Sequence, residues 1–349
     1  MKRIKVLVVG YYGSDNIGDE ILLKATINLL RKTYDNPEIT AITYSVKNTE
    51  KNHGINGISR NKYFQIIKGI KGVDLVVGGG GSMLQNITSN RSLMYYLAIL
   101  SLAKIFGKKV VLLGNGIGPL RGKLFIKLTM RILSSLDAIV LRDEESYNYL
   151  KSYNLENIYL GNDLAFTLDV DKSIKEEQRK IVINLRKWFY NDEFISTIKK
   201  FIEYLSDKGY QVVLLPFQRG NDDVILKSIE KDLNSSNVIF IDGNDYNKIM
   251  NEIASCKLFI GMRLHGLIFS SIFNKPFIGL SYDPKVSIFA KKVGQIYFDE
   301  LNNLTLDSLV EGFNKVQSNI DEYREILVRN VEEILALNNV NEDVIKRLF

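Results

Sequence analysis

Short apolar runs, most of them broken off by a glycine or a charged residue, recur along this chain and alternate with stretches of helical period. In the first half the runs are Ile4–Val9, Ile39–Tyr44, Leu75–Val77, Val110–Leu113, Ala138–Leu141 and Ile158–Leu160. In the second half they are Ile181–Leu185, Gln211–Leu215, Val238–Ile241, Leu258–Ile260, Pro276–Leu280 and Gln295–Phe298. Runs rich in Val, Ile and Leu, without strict polar alternation, predict strands buried on both faces, as in parallel sheets. Between them lie helical patterns such as 92–106, where Leu93, Leu97, Leu100 and Ile105 fall on one side. The charged run DVDKSIKEEQRK at 169–180 separates two such series. The pattern predicts an α/β protein of two Rossmann-like, doubly wound domains, 1–170 and 181–320, facing across a cleft. Residues 171–180 read as the linker, and 321–349 as a helical segment returning to the first domain.

Polar residues collect where the predicted strands end, the edge at which open α/β sheets bind ligands. The first strand leads into GYYGSDNIGDE, whose glycine spacing does not fit a dinucleotide loop. There Asp15 and Asp19 read either as helix caps or as acceptors for sugar hydroxyls. Leu75–Val77 runs into Gly78, Gly79, Gly80, Gly81 and Ser82, and backbone amides of such a loop can cradle an anion at the next helix N-terminus. Arg91 falls at the start of that helix. Ala138–Leu141 delivers Arg142. In the second half, GMRLHGLIFSSIFNKPFIGLSYDPK delivers Arg263 and His265 after one strand and Lys285 after the next. Arg263 would point with His265 on a strand but not at a helix start. An Arg, a His and a Lys at neighbouring strand ends predict an anion-handling site with a proton-transfer group. The other histidine, His53, lies in a Gly/Asn-rich stretch that reads as surface loop.

Composition narrows the class. The chain has 349 residues, 46% of them hydrophobic, and a formal charge of +6. That charge suits an anionic partner, but the scattered Lys and Arg form no nucleic-acid recognition motif, so no nucleic-acid partner is expected. A single cysteine, Cys256, excludes internal disulfides and any Cys/His metal cluster, and fits the reducing cytoplasm. The chain has no apolar stretch of about 20 residues that would span a bilayer; contact with a membrane surface would be peripheral.

Five blocks resemble the polysaccharide pyruvyl transferases, specifically the type acting on secondary cell-wall polysaccharide: GYYGSDNIGDE, GGGGSMLQNITSNRSLMYYL, GNGIGPL, LRDEES and GMRLHGLIFSSIFNKPFIGLSYDPK. They extend from about Val8 to Lys285. Two departures stand out: Asn115 where relatives often carry Gln, and Gly266 where Ala is common. The resemblance implies a GT-B-like fold and transfer of pyruvyl from phosphoenolpyruvate, the co-substrate, with no cofactor and no metal. The implied acceptor is N-acetylmannosamine of a lipid-linked oligosaccharide at the inner face of the cell membrane. The product is a 4,6-ketal that anchors surface-layer proteins. It further implies His265 as general acid/base, Lys285 on the donor phosphate, and Arg142 on its carboxylate or phosphate. Arg263 becomes a donor contact, Arg91, Gly79, Gly80 and Ser82 contact the donor phosphate or the acceptor, and Asp15 and Asp19 are acceptor contacts. Two alternatives use the same fold: a glycosyltransferase with a nucleotide-sugar donor, and a catalytically silent lectin-like protein.

Overall fold

The computed structural model describes residues 3–87, 89–187, 192–233, 235–243 and 245–349. It divides into two units, one of Met1–Leu168 with Ile334–Phe349, the other of Asp169–Glu333.

The first unit is built on seven parallel strands: β1 Lys5–Tyr12, β2 Glu38–Thr43, β3 Asn56–Ser59, β4 Leu75–Leu84, β5 Lys109–Ile117, β6 Ala138–Leu141 and β7 Ile158–Leu160. Their spatial order is β3-β2-β1-β4-β5-β6-β7. The chain winds outward one way from β1 and the other way from β4. The loops leaving those two strands therefore diverge, which opens a crevice at the carboxyl edge. The second unit repeats the plan with β8 Lys180–Asn184, β9 Gln211–Leu214, β10 Val238–Phe240, β11 Leu258–Gly261, β12 Phe277–Leu280 and β13 Ile296–Phe298. Here the order is β10-β9-β8-β11-β12-β13, and the reversal falls between β8 and β11. The apolar runs are the central strands: Val6–Val9 and Leu258–Phe259 are fully buried. Short polar side chains start the helices. Asn16, Ser89, Asp143, Asp245 and Asp283 each accept a hydrogen bond from a backbone N–H of the following turn.

Four sequence expectations are corrected. Strand β3 escapes the pattern because Asn56-Gly57-Ile58-Ser59 is a short edge strand with a single apolar residue. His53 is not in a surface loop: it ends the helix Val46–His53, and its side chain, 7% exposed, sits 2.9 Å from Glu20 Oε2. The charged run is not a free linker, since the units meet at Leu168/Asp169 and 169–180 is anchored within the second. Glu176 Oε2 accepts from Lys275 Nζ and Arg324 Nη2, each at 2.8 Å, and Lys180 Nζ lies 2.6 Å from Glu252. The return to the first unit begins at Ile334 rather than 321. There Tyr34 Oη donates to the Ile345 carbonyl (2.7 Å), and Lys32 pairs with Glu342 (2.7 Å).

The four-glycine run is likewise not a cradle at a helix N-terminus. All four glycines lie within β4, and the next helix starts at Asn90 with Ser89 as its cap. Their function is close packing. A β-carbon on Gly79 would stand 2.5 Å from both Tyr12 Oη and Thr26 Oγ1, and one on Gly78 would stand 2.3 Å from Met83. Gly80 and Gly81 have φ of +78° and +77°, a region that only glycine enters freely. Tyr12 Oη donates to the Gly79 carbonyl (2.7 Å), and burial, with Asp19 nearby, pushes this phenol well above its ordinary pKa. Gly79→Ala should therefore act as an overpacking substitution, costing roughly 1–3 kcal/mol. Urea unfolding would measure it; unchanged stability with weaker donor binding would return Gly79 to the ligand.

Candidate active site

In the second unit the reversal point is occupied by the sequence that follows β11. Arg263 is the extended N-cap residue (φ −81°, ψ 122°) of the helix Leu264–Ile272, so His265 lies in that helix's first turn. The helix N-cap makes no side-chain cap hydrogen bond. The positive end of the helix dipole suits an anion at this point. The imidazole stacks on Phe269, one turn on (6.2 Å, 23°), and Phe269 stacks in turn on Phe217 (6.1 Å). The helix is drawn close to its strand at Gly266, where a β-carbon would stand 2.6 Å from buried Phe259. That contact explains glycine at this position.

Arg263 is spent inside the protein. Its Nε and Nη2 donate to the two oxygens of Asp222 (3.0 and 2.6 Å), and Nη2 also donates to Gln218 Oε1 (2.9 Å). Asp222 is fully buried and accepts from the backbone N–H groups of Phe217 and Gln218 (3.1 and 3.0 Å). The Arg263 backbone N–H donates to Asn184 Oδ1 at the end of β8 (3.1 Å). This bidentate pair fixes the turn out of β11 and engages Nε and Nη2 of Arg263 within the protein.

Lys285 follows the adjacent strand, Gly261 of β11 being level with Gly279 of β12. It lies in the first turn of the helix Pro284–Lys292; its side chain is 37% exposed, and Nζ is 3.2 Å from Asp283 Oδ2. A pair missing from the sequence assignment completes this edge. Arg186, just beyond β8, donates from Nη1 to Tyr282 Oη (2.6 Å) and lies over that ring (4.7 Å). Since β8 and β12 flank β11, the pair spans the strand that leads to His265. The signal was present: Arg186 is a strand-end arginine like Arg142.

The first unit holds a second cluster. Arg142, beyond β6, reaches across β5 to Ser82 on β4, donating from Nη2 to Ser82 Oγ (2.9 Å) and from Nη1 to Asp163 Oδ2 (3.1 Å). It crosses over Gly116, where a β-carbon would stand 3.0 Å from Arg142 Nε and from Ser82 Oγ. Asn115, beneath it, is fully buried and donates from Nδ2 to the carbonyls of Gly78 (2.8 Å) and Leu113 (3.0 Å). Arg142 and Ser82 thus share one hydrogen-bonded group at the carboxyl edge. Gly79 and Gly80 are buried against Tyr12, Thr26 and Leu22. Asp19 accepts from Asn16 Nδ2 (2.6 Å), and its Oδ1 borders the space over Gly81. Asp15 is exposed with φ +55°. Arg91 is exposed in the first turn of the helix Asn90–Ile105.

Removing one partner of the buried Arg263–Asp222 pair strands the other. Asp222→Ala should cost about 3–5 kcal/mol of stability, read by denaturant unfolding. A loss below about 1 kcal/mol would mean that Arg263 is available to a ligand.

Comparison with known proteins follows the same lines as the geometry. Solved structures of similar fold include UDP-GlcNAc 2-epimerase from Neisseria meningitidis bound to UDP-GlcNAc (TM-score 0.67, 14% identity, 99% of each chain covered). Another is Alr3699/HepE of Anabaena in complex with UDP-glucose (TM-score 0.64, 10% identity, 99% of this chain and 100% of that one). These identities carry the fold alone: two Rossmann-like α/β domains of the GT-B class. In sequence, the chain is 25% identical over 312 residues to the amylovoran biosynthesis protein AmsJ of Erwinia amylovora, covering 80% of this chain and 74% of that protein. The profile of the polysaccharide pyruvyl transferases matches residues 16–284, which takes in Ser82, Arg142, Arg263 and His265 and stops one residue short of Lys285, and the chain belongs to that family.

Proposed function

We propose that this enzyme transfers the pyruvyl group of phosphoenolpyruvate, as a 4,6-ketal, onto N-acetylmannosamine of a lipid-linked cell-wall polysaccharide precursor, releasing phosphate. The observation that supports it most is the position of His265. It is the histidine of a helix first turn at the reversal point of the second sheet, with Lys285 in the first turn after the adjacent strand. A small dianionic enol ester needs what that edge supplies: a helix N-terminus, an ammonium group and a group able to carry a proton near neutrality.

The chemistry balances with these groups. His265, protonated, delivers a proton to the methylene carbon of the enol, and positive charge develops at C2. One sugar hydroxyl adds to C2 and gives up its proton to the now neutral imidazole. The bond from C2 to the bridging oxygen then breaks, and phosphate leaves against Lys285. The second hydroxyl closes the ketal at the same carbon. Net, one hydroxyl proton ends on the new methyl group and the other on phosphate. Within the first unit, Arg142, Ser82 and Arg91 are assigned to anionic groups of the substrates, and Asp15 and Asp19 to sugar hydroxyls. The enzyme works from the cytoplasm at the inner face of the membrane.

The fold shared with proteins solved in complex with nucleotide-sugars favours one competing reading, a glycosyltransferase with such a donor. Thermal-shift measurements separate the two. Phosphoenolpyruvate should stabilise the protein and UDP should not; stabilisation by UDP alone would overturn the donor assignment. His265→Ala should lower phosphate release, assayed with a lipid-linked N-acetylmannosaminyl-N-acetylglucosamine acceptor, by at least about 100-fold. Its unfolding midpoint should stay within a few degrees of the wild type. Release of phosphate with other sugars but not this one would keep the pyruvyl transfer and reject the cell-wall acceptor.

A further inference from the structure

Acidic residues, rather than basic ones, are segregated in this chain. From Lys51 to Leu136 the only acidic residue is Asp74, against thirteen lysines and arginines. Asp74 lies at the amino end of β4 and accepts from the Lys5 backbone N–H (2.9 Å). The carboxyl edge of this segment is therefore free of its negative charge.

Three helices of this segment, Tyr63–Gly72, Asn90–Ile105 and Lys123–Leu133, pack side by side in the first unit. Each follows a strand of the same parallel sheet, so all three begin at its carboxyl edge. Their buried faces close the core through Ile66, Ile70, Leu93, Leu97, Met130 and Leu133. Their tips do something else. Phe64 is 89% exposed, Leu124 77% and Tyr63 64%, each in the first two residues of its helix. Ile87 (48%) precedes the middle helix, and Met94 (40%) lies one turn into it. Lys62, Arg91, Arg121 and Lys123 are exposed among them. Large apolar side chains grouped at helix tips and rimmed by cations are costly to leave in water and mark an interaction surface.

We propose that these three helix tips dock the protein on the surface of an anionic phospholipid bilayer. The apolar side chains enter the acyl boundary while the cations face the headgroups. Charge selects this occupant: the tips carry cations without a carboxylate among them, which suits a negatively charged surface and disfavours a second copy of the same basic tips. The apolar side chains set it apart from a nucleic-acid site, where such residues would meet phosphate. No helix of the described residues is long and apolar enough to cross a membrane, so docking is peripheral. The proposal rests on the membrane location assigned above and gives it a surface, one that would bring the carboxyl edge of the first unit to a lipid-borne acceptor.

The test is co-sedimentation of the full chain with vesicles of phosphatidylcholine alone and of phosphatidylcholine containing about one-third phosphatidylglycerol. The protein should partition onto the anionic vesicles and leave them as salt is raised, since a Debye length of about 10 Å at 0.1 M screens headgroup attraction. Phe64→Ser with Leu124→Ser should reduce partition at least tenfold. Lys62→Gln with Lys123→Gln should reduce it about fivefold for each charge removed. Phosphate release with a water-soluble acceptor should be unchanged in both variants, and circular dichroism should show the same fold. Three results would overturn the proposal: equal partition of wild type and the Phe64/Leu124 variant, no preference for anionic vesicles, or a concentration-dependent dimer in light scattering that the Phe64/Leu124 variant abolishes. Loss of activity on every acceptor with vesicle binding intact would fault the reaction and leave the docking surface standing.

Discussion

A buried carboxylate holds the second unit's edge in shape. Asp222 takes two hydrogen bonds from the Arg263 guanidinium and two from the backbone of Phe217 and Gln218. It thereby ties the loop after β9 to the turn after β11. Two ions withdrawn from water repay their desolvation only when hydrogen bonds fill the remaining positions, and here they do. What this interaction determines is direction. With Arg263 held as an extended N-cap, the chain must enter a helix at Leu264, and the next residue, His265, is placed in its first turn. The stacked series His265, Phe269 and Phe217 then keeps the ring from turning freely. For the proton transfer proposed for His265, such fixed surroundings count for more than any one contact.

The first unit solves a similar problem by leaving side chains out. Arg142 can lie over β5 because Gly116 has none, and the helix Ile17–Thr33 can approach β4 because Gly79 and Gly80 have none. In both units, then, the carboxyl edge is shaped by close backbone approach beneath a few long polar side chains. The same parallel winding that brings strand ends to one edge also brings helix starts there. That is why the apolar, cationic tips share the edge with the Arg142 cluster.

Much of this was legible from the pattern of apolar runs. Fully buried parallel strands read as continuous Val/Ile/Leu stretches, so twelve of the thirteen strands among the described residues show in the sequence, and the exception is the polar edge strand Asn56–Ser59. The strand-end positions of His265, Arg142 and Lys285 were readable for the same reason. What could not be read was which polar groups are consumed by the protein itself. Arg263 resembles a ligand contact until Asp222, forty-one positions away, is seen to take its guanidinium. Four successive glycines resemble an anion cradle until the tyrosine and leucine packed on them are placed. Those partners are distant in sequence, and periodicity carries no information about them. Boundaries failed likewise where tertiary contacts decide: Glu176, with Lys275 and Arg324, draws the charged run into the second unit.

The chain has two histidines, His53 and His265, and this permits a direct test of the donor site. Nuclear magnetic resonance of protein carrying isotope-labelled histidine gives one ring signal for each, assigned with a His53→Gln variant. Titration with phosphoenolpyruvate should move the His265 signal saturably and leave that of His53, which is paired with Glu20, in place. A donor that moves neither signal, or UDP moving His265 where phosphoenolpyruvate does not, would contradict the account.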